Sequence, residues 1–301
     1  MRVIVAGAGS LGSLLGGLLA NAGEDVLLLG REAHVSAIQQ DGLLVAGILG
    51  NLTISLAAKT QLDARESPAD LVILGAKSQD VESVLQTIKP VVGDGTQILS
   101  PQNGVVTEDL VEDAYGMNRS LAAVTPLNVS LARPGELFYA VEGPLQLGPR
   151  GEQSTAVVEG IVDAFNRAGI ETSWRDDIMQ LKWRKLARYC IGAIINALTG
   201  LQRLAEDEDV CELMRDLAEE FIAVVEAGGV TDFPIRPLVE DAYRQFQTER
   251  PEQTWLASVG QDLRKGKPRT EIDYLNGYIV ALGREHGVPT PVNHCIYTLV
   301  K

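Results

Sequence analysis

The sequence predicts an α/β fold, with a doubly wound parallel sheet at the N-terminus and an all-helical C-terminal domain. Three observations carry this. Apolar, β-rich runs alternate with helical patterns up to about Trp174. Beyond Asp177 the strand signal nearly disappears and long amphipathic helical patterns take over. The chain also opens on a strand, a glycine turn and a helix, in that order. Its 301 residues allow two domains, 1–174 and 175–301, each long enough to bury its own core.

The first strand, Val3 to Ala6, runs into Gly7-Ala8-Gly9-Ser10-Leu11-Gly12, and small residues continue as a helix through Ser13–Ala20. In such a turn the first glycine permits the tight bend, and the second lets backbone N–H groups approach a pyrophosphate. The third lets helix and strand pack closely. The positive end of the helix then faces the phosphates. This makes the N-terminal domain Rossmann-type and marks Gly7, Ala8, Gly9, Ser10, Leu11 and Gly12 as candidate cofactor-binding residues. A purely structural glycine turn is the competing reading.

The second strand, Asp25 to Leu29, ends at Gly30 and Arg31. An NAD-preferring domain carries Asp or Glu at that tip, to hold the ribose 2′-hydroxyl. Here Gly30 leaves room for a phosphate and Arg31 offers a planar, permanently charged fork to grip it, so the expected cofactor is NADPH/NADP+. Otherwise Arg31 is a solvated side chain paired with Glu32.

Further strands are expected at Leu71–Leu74, Gln97–Ser100, Leu121–Val124 and Glu171–Trp174, with helices at Val81–Ile88, Thr107–Ala114 and Thr155–Ala168. Gly42–Ser55 reads as a short antiparallel excursion. In the C-terminal half, Cys211–Ala227 has apolar residues at three-to-four spacing and stops at Gly228-Gly229, and Asp273–Arg284 is a second such helix. A dinucleotide domain followed by a helical one forms a cleft in which a small substrate would meet the nicotinamide, with domain closure excluding water.

Composition narrows the partners. Hydrophobic content is 46% and charged content 22%, ordinary for a soluble globular protein. A net charge of −14 with no Lys/Arg-rich block argues against nucleic acid and anionic membrane. The three cysteines, Cys190, Cys211 and Cys295, form no C-x-x-C, which points to a reducing compartment. His34, His286 and His294 have no metal-ligand spacing, so no metal is expected. The stretch Leu11–Leu29 is broken by Asn21, Glu24 and Asp25 and cannot span a bilayer, and no targeting segment is visible, so the expected location is cytoplasmic. A homodimer through the helical domain is left open.

Taken together, the motifs resemble those of the ketopantoate reductases (2-dehydropantoate 2-reductases) over nearly the whole chain. The resemblance rests on GAGSLG with Arg31, on Gly75-Ala76-Lys77-Ser78 after the third strand and on Gln102-Asn103-Gly104 after the fourth. It continues through Trp183-Arg184-Lys185-Leu186, Ser258 with Asp262, and Thr270-Glu271-Ile272-Asp273-Tyr274-Leu275-Asn276-Gly277. It implies NADPH-dependent reduction of the C2 ketone of a 2-oxoacid, ketopantoate giving pantoate, a pantothenate precursor.

The resemblance also implies roles. Lys185 polarises the ketone and assists protonation of the forming alkoxide, a charge that a preorganised ammonium stabilises far more in a closed cleft than in water. On residue type alone it is one of several basic residues on an amphipathic helix, beside Lys182, Arg184 and Arg188. Glu271, a catalytic candidate with Lys185, binds the ketoacid's hydroxyl or shares in proton handling. On local pattern it opens a helix, with Thr270 as N-cap and Asp273 completing a capping-box-like pattern. Asn103 sits at the cofactor–substrate junction, where Asn-Gly alone would read as a tight turn. Lys77 lies near the nicotinamide ribose and Ser258 hydrogen-bonds the substrate carboxylate; unaided, they read as a solvated lysine and a surface hydroxyl.

The chain departs from its resemblance in one place. Most relatives carry Asn four and eight residues after the lysine, where this chain has Tyr189 and Ala193. Asn196 returns to the lysine's face in an unbroken α-helix, but about 16 Å along its axis, and Gly192 is a candidate kink. Tyr189 becomes a substrate-site candidate able to share proton delivery with Lys185, against an ordinary packing role. Two alternatives accompany the main reading: reduction of a different branched or bulkier 2-oxoacid, and a non-catalytic NADP(H)-binding redox-sensing protein.

Overall fold

Strand β1 (Arg2–Ala6) is apolar on both faces because both faces are covered. Val3 and Val5 enter one hydrophobic core, Ile4 and Ala6 the other. It lies inside an eight-stranded sheet of order β12-β11-β8-β7-β6-β1-β2-β5. The other strands are β2 (Asp25–Leu29), β5 (Ala57–Lys59), β6 (Leu71–Leu74), β7 (Gln97–Ser100), β8 (Ser120–Val124), β11 (Leu145–Pro149) and β12 (Thr172–Trp174). All pairings are parallel except β11 with β8. The chain order reverses between β1 and β6, the switch point outside whose carboxyl ends such sheets bind ligands. The computed structural model describes residues 1–63, 65–200, 204–230, 233–248 and 258–301.

The expected excursion forms a hairpin, β3 (Leu43–Gly47) with β4 (Gly50–Ile54), Leu43 facing Ile54. It does not stand alone. β3 also pairs in parallel with β10 (Glu136–Val141), and β10 pairs antiparallel with β9 (Asn128–Arg133), giving a second sheet β4-β3-β10-β9. The sequence reading missed the short β5 and all of β9, β10 and β11. No residue of β9 is fully buried, and Phe138 on β10 is 49% exposed, so the two-residue apolar period is weak there.

Helix α1 (Ser10–Asn21) carries no charged residue and has buried residues around much of its circumference. Its two adjacent glycines face different sheets. A Cβ on Gly16 would lie 2.6 Å from Val5 and 2.8 Å from Leu28 of the large sheet, and one on Gly17 2.8 Å from Leu43 of the small one. The helix therefore fills the layer between the sheets. Around them run α2 (Glu32–Asp41), α3 (Val81–Thr87), α4 (Val106–Tyr115) and α5 (Thr155–Arg167).

The chain divides into two units. One contains Met1–Gln102 and Val106–Met179, the other Asn103–Val105 and Gln180–Lys301. The second is helical: α6 (Ile178–Arg188), a π-helical turn at Tyr189–Ala193, α7 (Ile194–Thr199), α8 (Glu208–Ala227), α9 (Ile235–Thr248), α10 (Ser258–Arg264), α11 (Asn276–His286) and α12 (Pro291–Val300). Trp183 of α6 anchors its core, edge-on to Phe221 of α8 at 6.1 Å and tilted to Tyr278 of α11 at 6.3 Å. α8 begins earlier than expected, where Asp207 accepts the Val210 N–H at 3.1 Å. Among the described residues no helix is long and apolar enough to cross a membrane.

Candidate active site

In the first unit, the turn after β1 is packed so tightly that only glycine fits. Gly7 has φ +88°, and a Cβ there would lie 2.7 Å from the Ala76 backbone nitrogen. A Cβ on Gly12 would lie 2.8 Å from Cα of Gly75, and one on Gly75 would overlap the Gly7 carbonyl oxygen. Gly75, which the sequence offered only as part of the Gly75–Ser78 motif and without a role, is thus a reciprocal part of the turn; its place at the end of an apolar run was the available signal.

The six turn residues divide by the fate of their N–H groups. Gly7 and Ala8 donate to Leu29 O, at 3.0 and 2.6 Å, and Gly9 to Gly7 O at 2.7 Å. Ser10, Leu11 and Gly12 form the first turn of α1, ahead of its first bond from Ser13 N–H to Gly9 O, and no side chain caps them. Gly7, Ala8 and Gly9 shape the loop, then, while the other three N–H groups face outward along the axis. This uncapped helix start fits a pyrophosphate.

Arg31 is the N-cap residue of α2 and is exposed. Its expected competitor is engaged elsewhere: Glu32 accepts from the Ser36 hydroxyl at 2.9 Å. Among the described residues Arg31 makes no ion pair. A Cβ on Gly30 would meet the Ala8 methyl at 2.9 Å, so this glycine also accommodates the turn. One turn into α2, buried His34 accepts the Gly135 N–H on Nδ1 at 2.9 Å, and its Nε2 lies 3.1 Å from Ser13 Oγ. Burial pushes its pKa down, so the ring is neutral, with its proton on Nε2. Half-buried Lys77 precedes a 3₁₀ turn at Ser78–Asp80. The loop before it is tied down by Gln102, whose Nε2 donates to Leu74 O at 2.6 Å and Ala76 O at 2.9 Å.

In the second unit, the four cations of α6 part company. Arg184 pairs with Asp241 of α9 at 2.5 Å. Arg188 bonds Gln245 and lies 4.9 Å above the Phe246 ring, also on α9. Lys182 is only 2% exposed, and Lys185 is half-buried. Burial pulls the Lys185 pKa down to about 8, the Lys182 charge pushes it the same way, and Glu271 opposes both. Glu271, 6% exposed, begins a 3₁₀ turn at Glu271–Tyr274, whose Thr270 cap accepts the Ile272 N–H at 3.3 Å. Asp273 does not complete a capping box: its Oδ1 accepts from Tyr297 at 2.6 Å and Lys301 at 2.9 Å. The expected helix at Asp273–Arg284 is therefore this turn followed by α11.

Asn103 belongs to this unit as well. The next residue, Gly104, has φ +90°, and a Cβ on it would lie 2.8 Å from Tyr274 O. Lys185, Glu271 and the Asn103-Gly104 turn are thus gathered around Glu271–Tyr274. Tyr189 begins the π turn and is half-buried. The side chain of Ser258 lies outside the described residues; its backbone starts α10. The π turn also corrects the placement of Asn196, which assumed an unbroken α-helix. A π turn inserts one residue and delays the helix by about 100°. Gly192 in that turn makes room for a ring, a Cβ there falling 2.5 Å from Phe246.

The family model for ketopantoate reductase PanE/ApbA matches residues 3–152, and that for its C-terminal domain matches 177–301. The 2-dehydropantoate 2-reductase of Pyrococcus horikoshii is 33% identical over 100% of this chain and 97% of its own, and that of Pyrococcus abyssi 32% identical with the same coverage. Among solved structures, a PanE/ApbA family ketopantoate reductase from Ralstonia eutropha superposes with a TM-score of 0.86 at 33% identity, covering 100% and 97% of the two chains. A D-mandelate dehydrogenase bound to NADH and anilino(oxo)acetate superposes at 0.89 with 25% identity and the same coverage.

Proposed function

The chain belongs to the ketopantoate reductase family, an oxidoreductase family that uses a nicotinamide cofactor on a small oxoacid, and we propose that it reduces 2-dehydropantoate to pantoate with NADPH. The observation that carries this reading is the placement of Lys185, half-buried in the helical unit, with its pKa pulled down to about 8 by burial and with a buried carboxylate, Glu271, from another element acting on it. Such a group is charged when a ketone arrives and can release its proton as the alkoxide forms.

When bound, the reduced cofactor supplies a hydride to the ketone carbon. Lys185 holds the ketone oxygen, stabilises the charge that builds on it and hands over a proton from Nζ. Glu271 keeps that ammonium charged and accepts a hydrogen bond from the substrate's hydroxyl. Asn103, on a turn fixed by Gly104, orients the substrate, with Ser258 and Tyr189 as further contacts. Ser10, Leu11 and Gly12 receive the pyrophosphate. Gly7, Ala8 and Gly9 shape the loop, and Lys77 lies toward the nicotinamide ribose. Arg31, without an ion pair in its own unit, holds the 2′-phosphate, the contact that selects NADPH.

The test is to mix purified protein, NADPH and ketopantoate and to follow the absorbance of the reduced nicotinamide. Turnover abolished in Lys185→Ala supports the reading. Turnover confined to other 2-oxoacids moves the substrate, and tight NADPH binding with no turnover on any 2-oxoacid rejects catalysis.

A further inference from the structure

We propose that Asn276 is a positioning residue: by holding the carbonyl of Cys190 in the π turn, it sets the end of α6 and with it the aim of Lys185. This rests on the role given to Lys185 above. In an α-helix the Ile194 N–H would serve Cys190 O. Here it reaches one residue further back, to Tyr189 O. The Cys190 carbonyl, in a fully buried residue, instead accepts from Asn276 Nδ2 at 3.1 Å. A helix that opens by one residue needs an outside donor at that point, and this side chain supplies it.

Asn276 is itself held. Its Nδ2 also donates to Asn293 Oδ1 at 3.0 Å, and Asn293 Nδ2 donates to Glu220 Oε2 at 2.8 Å. Glu220 in turn caps α12, accepting the N–H groups of Val292 and Asn293, both at 2.8 Å. The chain Glu220–Asn293–Asn276 thus runs from two helix ends to the π turn, with both asparagines fully buried. Yet Asn276 Oδ1 is buried without a partner among the described residues. An apolar side chain would avoid that penalty but would leave Cys190 O and Asn293 Oδ1 without this donor, so the amide is kept for what its Nδ2 holds.

The spacing explains what it serves. Glu271 and Asn276 are five residues apart on one segment, as are Lys185 and Cys190 on another. Glu271 acts on the first of that second pair and Asn276 on the second. The same short segment therefore fixes both the charge facing Lys185 and the backbone just beyond it. Moving Cys190 relative to residue 276 moves Lys185 relative to Glu271.

Two variants test this. Asn276→Leu removes the donor, and Asn276→Asp replaces it with an oxygen that repels Cys190 O until the carboxyl is protonated. We expect both to fold and to bind NADPH within about twofold of wild type, with kcat for the oxoacid at least tenfold lower. The Asp variant should recover toward wild type as pH falls, a rescue that a packing defect would not show. The Lys185 titration, read by NMR of the ¹³C-dimethylated lysine, should shift in both variants and reports even if wild type proves inert, a result that would count against the reaction alone. Unchanged kcat with an unchanged Lys185 titration overturns the proposal. So does failure of both variants to fold, which would make Asn276 a residue of the fold only.

Discussion

Lys182 and Lys185 lie three residues apart on α6, close enough that the charge of the first lowers the pKa of the second. Glu271 acts in the opposite sense. The proposed reduction needs the ammonium form, so the rate should fall as pH rises through about 8, where Lys185 loses its proton. Lys182→Met removes the repulsion and should carry that fall to higher pH. Glu271→Gln removes the attraction and should carry it lower. Profiles of kcat/KM against pH check the pair, and displacement in the same direction would rule out this electrostatic account.

Removing Lys185 altogether should leave the cofactor in place. Lys185→Ala is expected to lower kcat by about 10³-fold, the usual scale for losing a general acid that also stabilises charge. NADPH affinity, measured by fluorescence titration, should change by less than about threefold, since no phosphate contact is assigned to this residue.

Arg31 offers a cleaner reading of cofactor choice. A charge-assisted hydrogen bond to a 2′-phosphate, the role proposed for Arg31, is worth about 1.5–3 kcal/mol, so on that proposal Arg31→Ala should weaken NADPH by about 10- to 100-fold. NADH, which lacks that phosphate, should be nearly unaffected. Equal losses for both cofactors would place Arg31 elsewhere on the nucleotide.

Gly192 tests the packing of the π turn. A Cβ there would stand 2.5 Å from the Phe246 ring. Gly192→Ala should therefore cost about 1–3 kcal/mol by overpacking, seen as a lower urea midpoint. Gly192→Ala combined with Phe246→Leu should regain part of it; purely additive losses would argue against this contact.

His34 gives the first unit a pH limit. Its folded pKa is depressed by burial, so its contribution is complete above the unfolded value of about 6.5 and is lost as pH falls through the lower folded value. Protonated Nδ1 can no longer accept the Gly135 N–H. Urea midpoints of wild type should drop through that acid range more steeply than those of His34→Gln. Parallel curves would mean that other groups govern the acid limb.

How much of this was legible in the sequence depended on whether the cause was local. The first strand, the glycine turn and the alternation of strands and helices are local patterns, and the structure follows them. The hairpin β9–β10 is not local, since its partner β3 lies far upstream and its outer face is wet. At the site, Lys185 and Glu271 stood out through family resemblance, whereas residue type alone left Lys185 among equals. Only packing against α9 separates Arg184 and Arg188 from Lys182 and Lys185. The π turn was invisible because Tyr189–Ala193 reads as ordinary helix, and what opens it lies outside that stretch. Gly75 and Gln102 went unassigned for a similar reason: each answers to backbone that approaches from another strand.

The small sheet that covers one flank of α1 sets an order of events for a chain still being synthesised. Gly17 and its neighbours are covered by a sheet whose last strand ends at Val141. A nascent chain that has emerged only as far as Val124 already carries most of the parallel strands, yet one flank of α1 still lacks half of its cover. The N-terminal unit thus acquires its dry interior late, and a release or pause before that point leaves an oily helix face for chaperones to shield.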